Sequence, residues 1–227
     1  DADHVRRLIW GDFGQPRKSA GLREMLAIGN EVGVPTTCFL DMVETSLYGD
    51  RIREVGRFVH ESGHDLELHL HPELLPRQYW QDRDIPRPRV MQQAYAPGAA
   101  KQVMKEFSAQ LTELVHGREI SAYRAGSFRI GRHMLEAQLE CGIPISSSVS
   151  YESFLNQNRM PLAPPWERIF QWDVGALELP ITQIWQKQAW RVLAMPMKRE
   201  LGFEEMFSMI DASPVAGPVT MIMHSWS

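Results

Sequence analysis

The sequence predicts an α/β fold built on a largely parallel sheet, in which six or more βα units point to a barrel. Three observations predict it. Strand-like and helix-like segments alternate along the chain. No linker or break in composition divides the 227 residues. Chemically capable side chains recur where predicted strands end, the rim at which barrels of this kind build their sites.

Gly21 to Gly33 sets Leu22, Met25, Leu26 and Val32 near one helical face, and Val34 to Leu40 follows as a strand. Ile52 to Ser62 returns to helical spacing through Ile52, Val55, Phe58 and Val59. Next comes the most informative stretch, Asp65-Leu66-Glu67-Leu68-His69-Leu70-His71-Pro72. Successive strand side chains point to opposite faces, so three leucines pack on one side while Glu67, His69 and His71 share the other. Pro72 cannot donate to a sheet ladder, and two histidines at i and i+2 form half of a metal site. An edge strand with its polar face in water has the same alternation. Pro76 to Pro97 holds four prolines and several arginines and reads as a long loop of the kind that carries function. Helix Ala99 to Val115, strand Ile120 to Ala125, helix Arg132 to Glu140 and a short strand at Ile143 to Ser147 continue the alternation. Tyr151 to Trp172 reads as loop, and strand Ala176 to Ile181, helix Phe203 to Asp211 and strand Val219 to Met223 close the series.

A formal net charge of −4 and a pI near 6.1 argue against nucleic acid or anionic membrane as a partner. No apolar run approaches the roughly 20 residues of a membrane span, and Asp-Ala-Asp-His is not a signal peptide start. Cys38 and Cys141 are too few for a disulfide scaffold, which fits a cytoplasmic protein with a buried, reduced Cys38. No glycine-rich phosphate loop, Gly-x-Ser-x-Gly elbow or Cys-x-x-Cys pair competes with the strand-end residues.

In their order, Asp1-Ala2-Asp3, Gly63 to Pro72, Tyr123-Arg124-Ala125-Gly126-Ser127-Phe128 and Met221-Ile222-Met223-His224 resemble the motifs of the polysaccharide deacetylase superfamily, carbohydrate esterase family 4. The likeness is greatest to the deacetylase-like proteins of bacterial lipopolysaccharide O-antigen gene clusters. The resemblance implies a distorted (β/α) barrel of about seven parallel strands, a single catalytic domain over residues 1–227, one divalent metal, zinc, and removal of an acetyl group from a sugar. By position it implies Asp1 as general base, Asp3 and His69 as metal ligands, Arg124 as the partner of the base and His224 as general acid. The family's second histidine falls at Glu73, so either His71 or Glu73 completes the metal set; His71 shares the strand face of His69. Ser127 stands where the family has an aromatic residue, with Phe128 beside it, and both are assigned to the substrate side. Trp80 and Trp166, in loop-like segments, are candidates for stacking on sugar rings, although aromatic residues equally serve packing. A barrel strand ending at Asp1 needs apolar residues before it, so the sequence is expected to be an excerpt of a slightly longer chain.

These residue types suit amide hydrolysis. A bound metal makes hydroxide available near neutral pH, a carboxylate takes a proton from the attacking water, and an imidazole supplies one to the departing amine. The expected substrate is a nucleotide sugar, a lipid-linked sugar or an O-antigen precursor. Two alternatives stand beside it: a barrel amidohydrolase acting on a non-sugar amide or formamide, and a catalytically silent sugar-binding or scaffold protein, for which Glu73 and Ser127 speak.

Overall fold

The computed structural model describes residues 4–12, 14, 21–89, 91–150, 169–186, 189–192, 208 and 220. Its elements are α1 (Leu22–Val32), β1 (Thr37–Asp41), α2 (Asp50–Glu61), β2 (Asp65–Leu70), α3 (Arg77–Gln81), α4 (Pro97–Leu114), β3 (Ala122–Ala125), α5 (Arg132–Glu140), β4 (Ile145–Ser146), β5 (Phe170–Gln171), β6 (Leu177–Glu178), β7 (Gln183–Gln186) and β8 (Ala189–Val192). Six strands make one sheet in the order β1-β2-β3-β4-β6-β5, and β7 pairs with β8 in a separate antiparallel hairpin. Neighbours in the large sheet run parallel except β5 against β6.

Local sequence explains the boundaries. Helix α1 opens at Gly21, whose N–H donates to the Glu24 carboxylate at 3.0 Å, and closes at Gly33 in the left-handed region (φ 70°) that favours glycine. Helix α2 buries Ile52, Val55, Gly56 and Val59, one stripe at helical spacing. A side chain at Gly56 would run into Leu114 and Leu40, so this glycine lets α2 approach both β1 and the end of α4. Pro97 starts α4 at the one position where a missing N–H costs nothing. Leu66, Leu68 and Leu70 of β2 are fully buried beneath these helices.

The described sheet is open, which differs from the expected closed barrel of about seven strands. The strands expected to end at Asp1 and to run over Val219–Met223 lie outside the described residues but for Thr220. That residue accepts the Thr182 N–H at 3.0 Å and donates its own to Thr182 Oγ1 at 2.8 Å. The expected loop from Pro76 to Pro97 also differs: it contains α3 and a 3-10 turn at Gln92–Ala94. Buried Tyr79 and Trp80 hold α3 down, an anchor too short to register as helical periodicity. The loop expected over Tyr151–Trp172 ends in β5, and its remainder through residue 168, like nearly all of the expected helix Phe203 to Asp211, lies outside the described residues.

Glu67 does not stand beside the histidines as a functional group. It is fully buried and accepts the N–H groups of Ser121 (2.9 Å) and Ala122 (2.8 Å), the Ser121 hydroxyl (3.0 Å) and Arg118 Nη1 (3.3 Å). The carboxylate therefore ties the entry of β3 to β2. Glu67→Ala removes one side of a buried charged network, so urea denaturation is expected to show a loss of about 3–5 kcal/mol, with metal affinity in the folded fraction unchanged. A weakened metal affinity at unchanged stability would place Glu67 in the site instead.

Candidate metal centre

Parallel register builds the site. Asp41 pairs with His69, and His69 with Arg124, so the three occupy one row across the C-terminal ends of β1, β2 and β3. His71 follows two residues beyond His69, on the same face. One ligand atom from each of Asp41, His69 and His71 lies within 4.8 Å of the others, the one such grouping given by the described residues. That set is two imidazoles and a carboxylate, a common ligand complement for catalytic zinc.

Each of the three candidate ligands is held by a second bond. His69 Nδ1 lies 2.7 Å from the Arg124 carbonyl, which can only accept, so Nδ1 carries the proton and Nε2 the lone pair. His71 Nδ1 lies 2.7 Å from Glu73 Oε1 and donates to it. Asp41 Oδ1 accepts the N–H groups of Val43 (3.0 Å) and His71 (3.2 Å). Imidazoles clamped through Nδ1 by a carbonyl and a carboxylate are the outer shell that metal-binding histidines typically have, so the residues present fit a divalent ion. Local sequence makes the clamp. Pro72 opens a 3-10 turn, Pro72–Leu74, that brings Glu73 back to His71. Gly126 leaves room for the His71 ring, since a Cβ there would lie 2.6 Å from Nδ1. Gln92, fully buried, donates to the Leu70 and Gly126 carbonyls (3.1 and 3.3 Å) and accepts from the Tyr123 hydroxyl, joining the ends of β2 and β3.

The electrostatics favour a cation. Burial raises the Asp41 carboxyl well above the ordinary carboxylate range, opposed by the His71 charge and reinforced by Glu44. Burial lowers His71, but the hydrogen bond it donates to Glu73 and the charges of Asp41, Glu73 and Glu44 outweigh it and leave the imidazole raised. Burial likewise raises Glu73, and its bond to His71 turns the net shift downward. Asp41 and His71, both raised, hold protons that a metal would displace.

The remaining expected residues divide clearly. His69 and His71 meet as read from the sequence. Glu73 lies behind His71 rather than in the ligand grouping. Asp41 is the candidate ligand that sequence reading missed; its one signal was an acid directly ending an apolar strand. The Arg124 guanidinium bonds the Ser147 carbonyl (3.1 Å) and hydroxyl (2.9 Å) and lies 4.0 Å over the Phe39 ring. Burial lowers its pKa to about 10, opposed by Glu178. Ser127 and Phe128 both take left-handed backbone (φ 54° each) just beyond β3. Trp80 is only 1% exposed, packs edge-on against Tyr79 and Tyr95, and also lines a cavity. Asp1, Asp3, Trp166 and His224 lie outside the described residues. His4, the neighbour of Asp3, stacks on Tyr48 at 5.4 Å and acts electrostatically on Glu44.

No family model matches the chain, and no curated protein does. A solved structure does: a "putative polysaccharide deacetylase" from Mycobacterium smegmatis superposes with a TM-score of 0.56 at 16% identity. The match covers 91% of this chain and 64% of that one. At this identity the likeness shows a shared fold: α/β, with a mostly parallel sheet.

Two predictions follow from the clamp and its charges. Glu73→Gln keeps the shape but weakens the hold on His71, and zinc affinity by competitive chelation should fall roughly 10–100-fold, with Gly126→Ala similar. Asp41 and His71, both raised, bind more protons in the folded than in the unfolded chain, so metal-free stability falls as pH rises through neutrality. Metal relieves that cost, and the zinc-induced increase in Tm should be larger at about pH 8 than at about pH 5.5; a pH-independent increase would contradict the ligand set.

Proposed function

We propose that this chain is a metal-dependent carbohydrate deacetylase that hydrolyses the acetamido C–N bond of an N-acetylated sugar, on a barrel whose remaining strands include Val219–Met223. The observation that carries the reading is the Asp41-His69-His71 grouping, with both imidazoles clamped through Nδ1 at the C-terminal rim of parallel strands. The shared fold supports it, and the Thr182–Thr220 pairing supports the additional strand.

Asp41, His69 and His71 would hold the ion, with Asp3 as a further candidate. Zinc, which two imidazoles and a carboxylate suit, would polarise the acetyl carbonyl and lower the pKa of the attacking water. Asp1 takes the proton of that water as its oxygen bonds to the carbonyl carbon. The C–N bond then breaks, His224 gives its proton to the departing nitrogen, and acetate and the free amine leave. His4 beside Tyr48 and Glu44 supports an N-terminal segment that reaches the β1 rim, where Asp1 must act. Arg124 contributes in two ways: its carbonyl fixes the His69 tautomer, and its guanidinium supplies fixed positive charge beside the row. Left-handed backbone at two consecutive non-glycine residues is a conformation that tends to persist at functional sites, which supports Ser127 and Phe128 as substrate contacts. The motif likeness to O-antigen cluster proteins supports a sugar of bacterial surface-polysaccharide synthesis, acted on in the cytoplasm.

Acetate release from a panel of N-acetylated sugars tests the reading. Activity should appear with zinc, vanish with a chelator, and drop about 100-fold or more in His69→Ala and Asp41→Asn. His224→Ala should lower kcat by roughly 10²–10⁴-fold while retaining metal. Chelator-resistant deacetylation, or full activity in His69→Ala, would overturn it.

A further inference from the structure

A cavity of about 1020 Å³ opens beside the His71–Glu73 pair, between the 72–95 segment and Arg129. Its lining is uneven in charge. Arg77, Arg87, Arg89 and Arg129 face it, against one carboxylate, Glu73. The chain as a whole is acidic, with a net charge of −4, so a cationic cavity runs against the average. Pairing separates Arg77, Arg87 and Arg89 from their neighbours. Arg83, from the same segment, is bound at both ends of its fork by Glu106 (2.9 and 2.8 Å), and Arg118 is held by Asp65 and Glu67. Arg77, Arg87 and Arg89 are exposed and have no ion pair with a carboxylate among the described residues. Trp80, Ile85 and Met91 add apolar lining.

We infer that this cavity is an anion subsite that binds a phosphate group carried by the substrate, so that the proposed deacetylase acts on a phosphorylated or nucleotide-linked sugar. The inference rests on the deacetylase reading for the sugar, and on the cavity itself for the anion. Planar guanidinium forks match phosphate oxygens two at a time. Arg77, Arg87 and Arg89 against Glu73 leave a surplus of about two, which a carboxylate of charge −1 answers poorly. A phosphate monoester carries about −1.5 to −2, and a diphosphate linkage about −2, so phosphate is the better complement. The volume lies at the upper end of the roughly 300–1,000 Å³ usual for ligand sites, large enough for a sugar and a diphosphate together. Glu73 joins the two parts. Oε1 holds His71, while the same residue lines the cavity, so a phosphate among the arginines sets the attached sugar beside the candidate metal ligands.

Isothermal titration calorimetry on the full chain, at low and at moderate salt, compares N-acetylglucosamine, its 1-phosphate, its uridine diphosphate conjugate and inorganic phosphate. The phosphorylated sugars should bind at least about 10-fold tighter than the neutral sugar, with the advantage shrinking as salt rises. Arg87→Ala with Arg89→Ala, both exposed and therefore tolerant of truncation, should remove that advantage and leave neutral-sugar binding and zinc affinity unchanged. The 1-phosphate against the diphosphate conjugate distinguishes a sugar phosphate from a nucleotide sugar. Equal affinity for neutral and phosphorylated sugars, or an advantage untouched by the double variant, would overturn the subsite. Deacetylation of neutral sugars without phosphate preference would leave the enzyme reading standing and the subsite refuted. Tight, arginine-dependent phosphate binding without acetate release from any sugar would do the reverse.

Discussion

The site depends on register. In a parallel sheet the residues paired across strands project to one face, and a slip of one position sends every side chain to the other face. Asp41, His69 and Arg124 form a single row because β1, β2 and β3 hold their pairing at those positions. One residue back in the same rows lie Leu40, Leu68 and Tyr123, all buried. Burial of that apolar row fixes the polar one: the strands cannot slide to place the ligands elsewhere without bringing polar side chains into the core.

Buried polar groups then lock what the leucines select. Glu67 gathers the first N–H groups of β3, and Glu178, fully buried, gathers those of Ser148 and Val149 beyond β4 (2.7 and 2.8 Å) together with the Trp172 indole N–H (3.0 Å). Gln92 joins the exits of β2 and β3. Each carboxylate or amide satisfies backbone groups that a strand end would otherwise leave orphaned. Leaving them unsatisfied would cost about 1–3 kcal/mol apiece, so the rim at which the histidines emerge is rigid. A rigid rim presents imidazoles and carboxylate already close together.

Much of this was legible in the sequence, and the exceptions have physical causes. Period-two alternation in Asp65 to His71 revealed both the buried leucines and the paired histidines, and the stripe of α2 fell where its apolar residues recur, whereas α1 buries Leu22 and Leu26 but leaves Val32 exposed at its end. Glu67 shared that alternation yet proved structural, because period two reports the face of a side chain and not what meets it there. Glu73 read as a possible ligand on family spacing, whereas the turn at Pro72 bends it behind His71. Asp41 carried too little signal: a lone acid after Phe39-Leu40 resembles any strand terminus until the neighbouring strand supplies His69. Helix α3 is five residues long, below the length at which periodicity says anything. The arginines of the 77–89 segment read as part of a long loop of the kind that carries function, and the cavity they line was not visible in the sequence.

The central claim is that Asp41, His69 and His71 bind one metal ion together. Anomalous diffraction from zinc-loaded crystals, collected on both sides of the zinc edge, locates that ion without reference to activity. The account predicts one strong peak within about 2.0–2.2 Å of a nitrogen of each histidine and of an Asp41 oxygen. A peak ligated by other residues, or a saturated protein with no peak near His69, would contradict it.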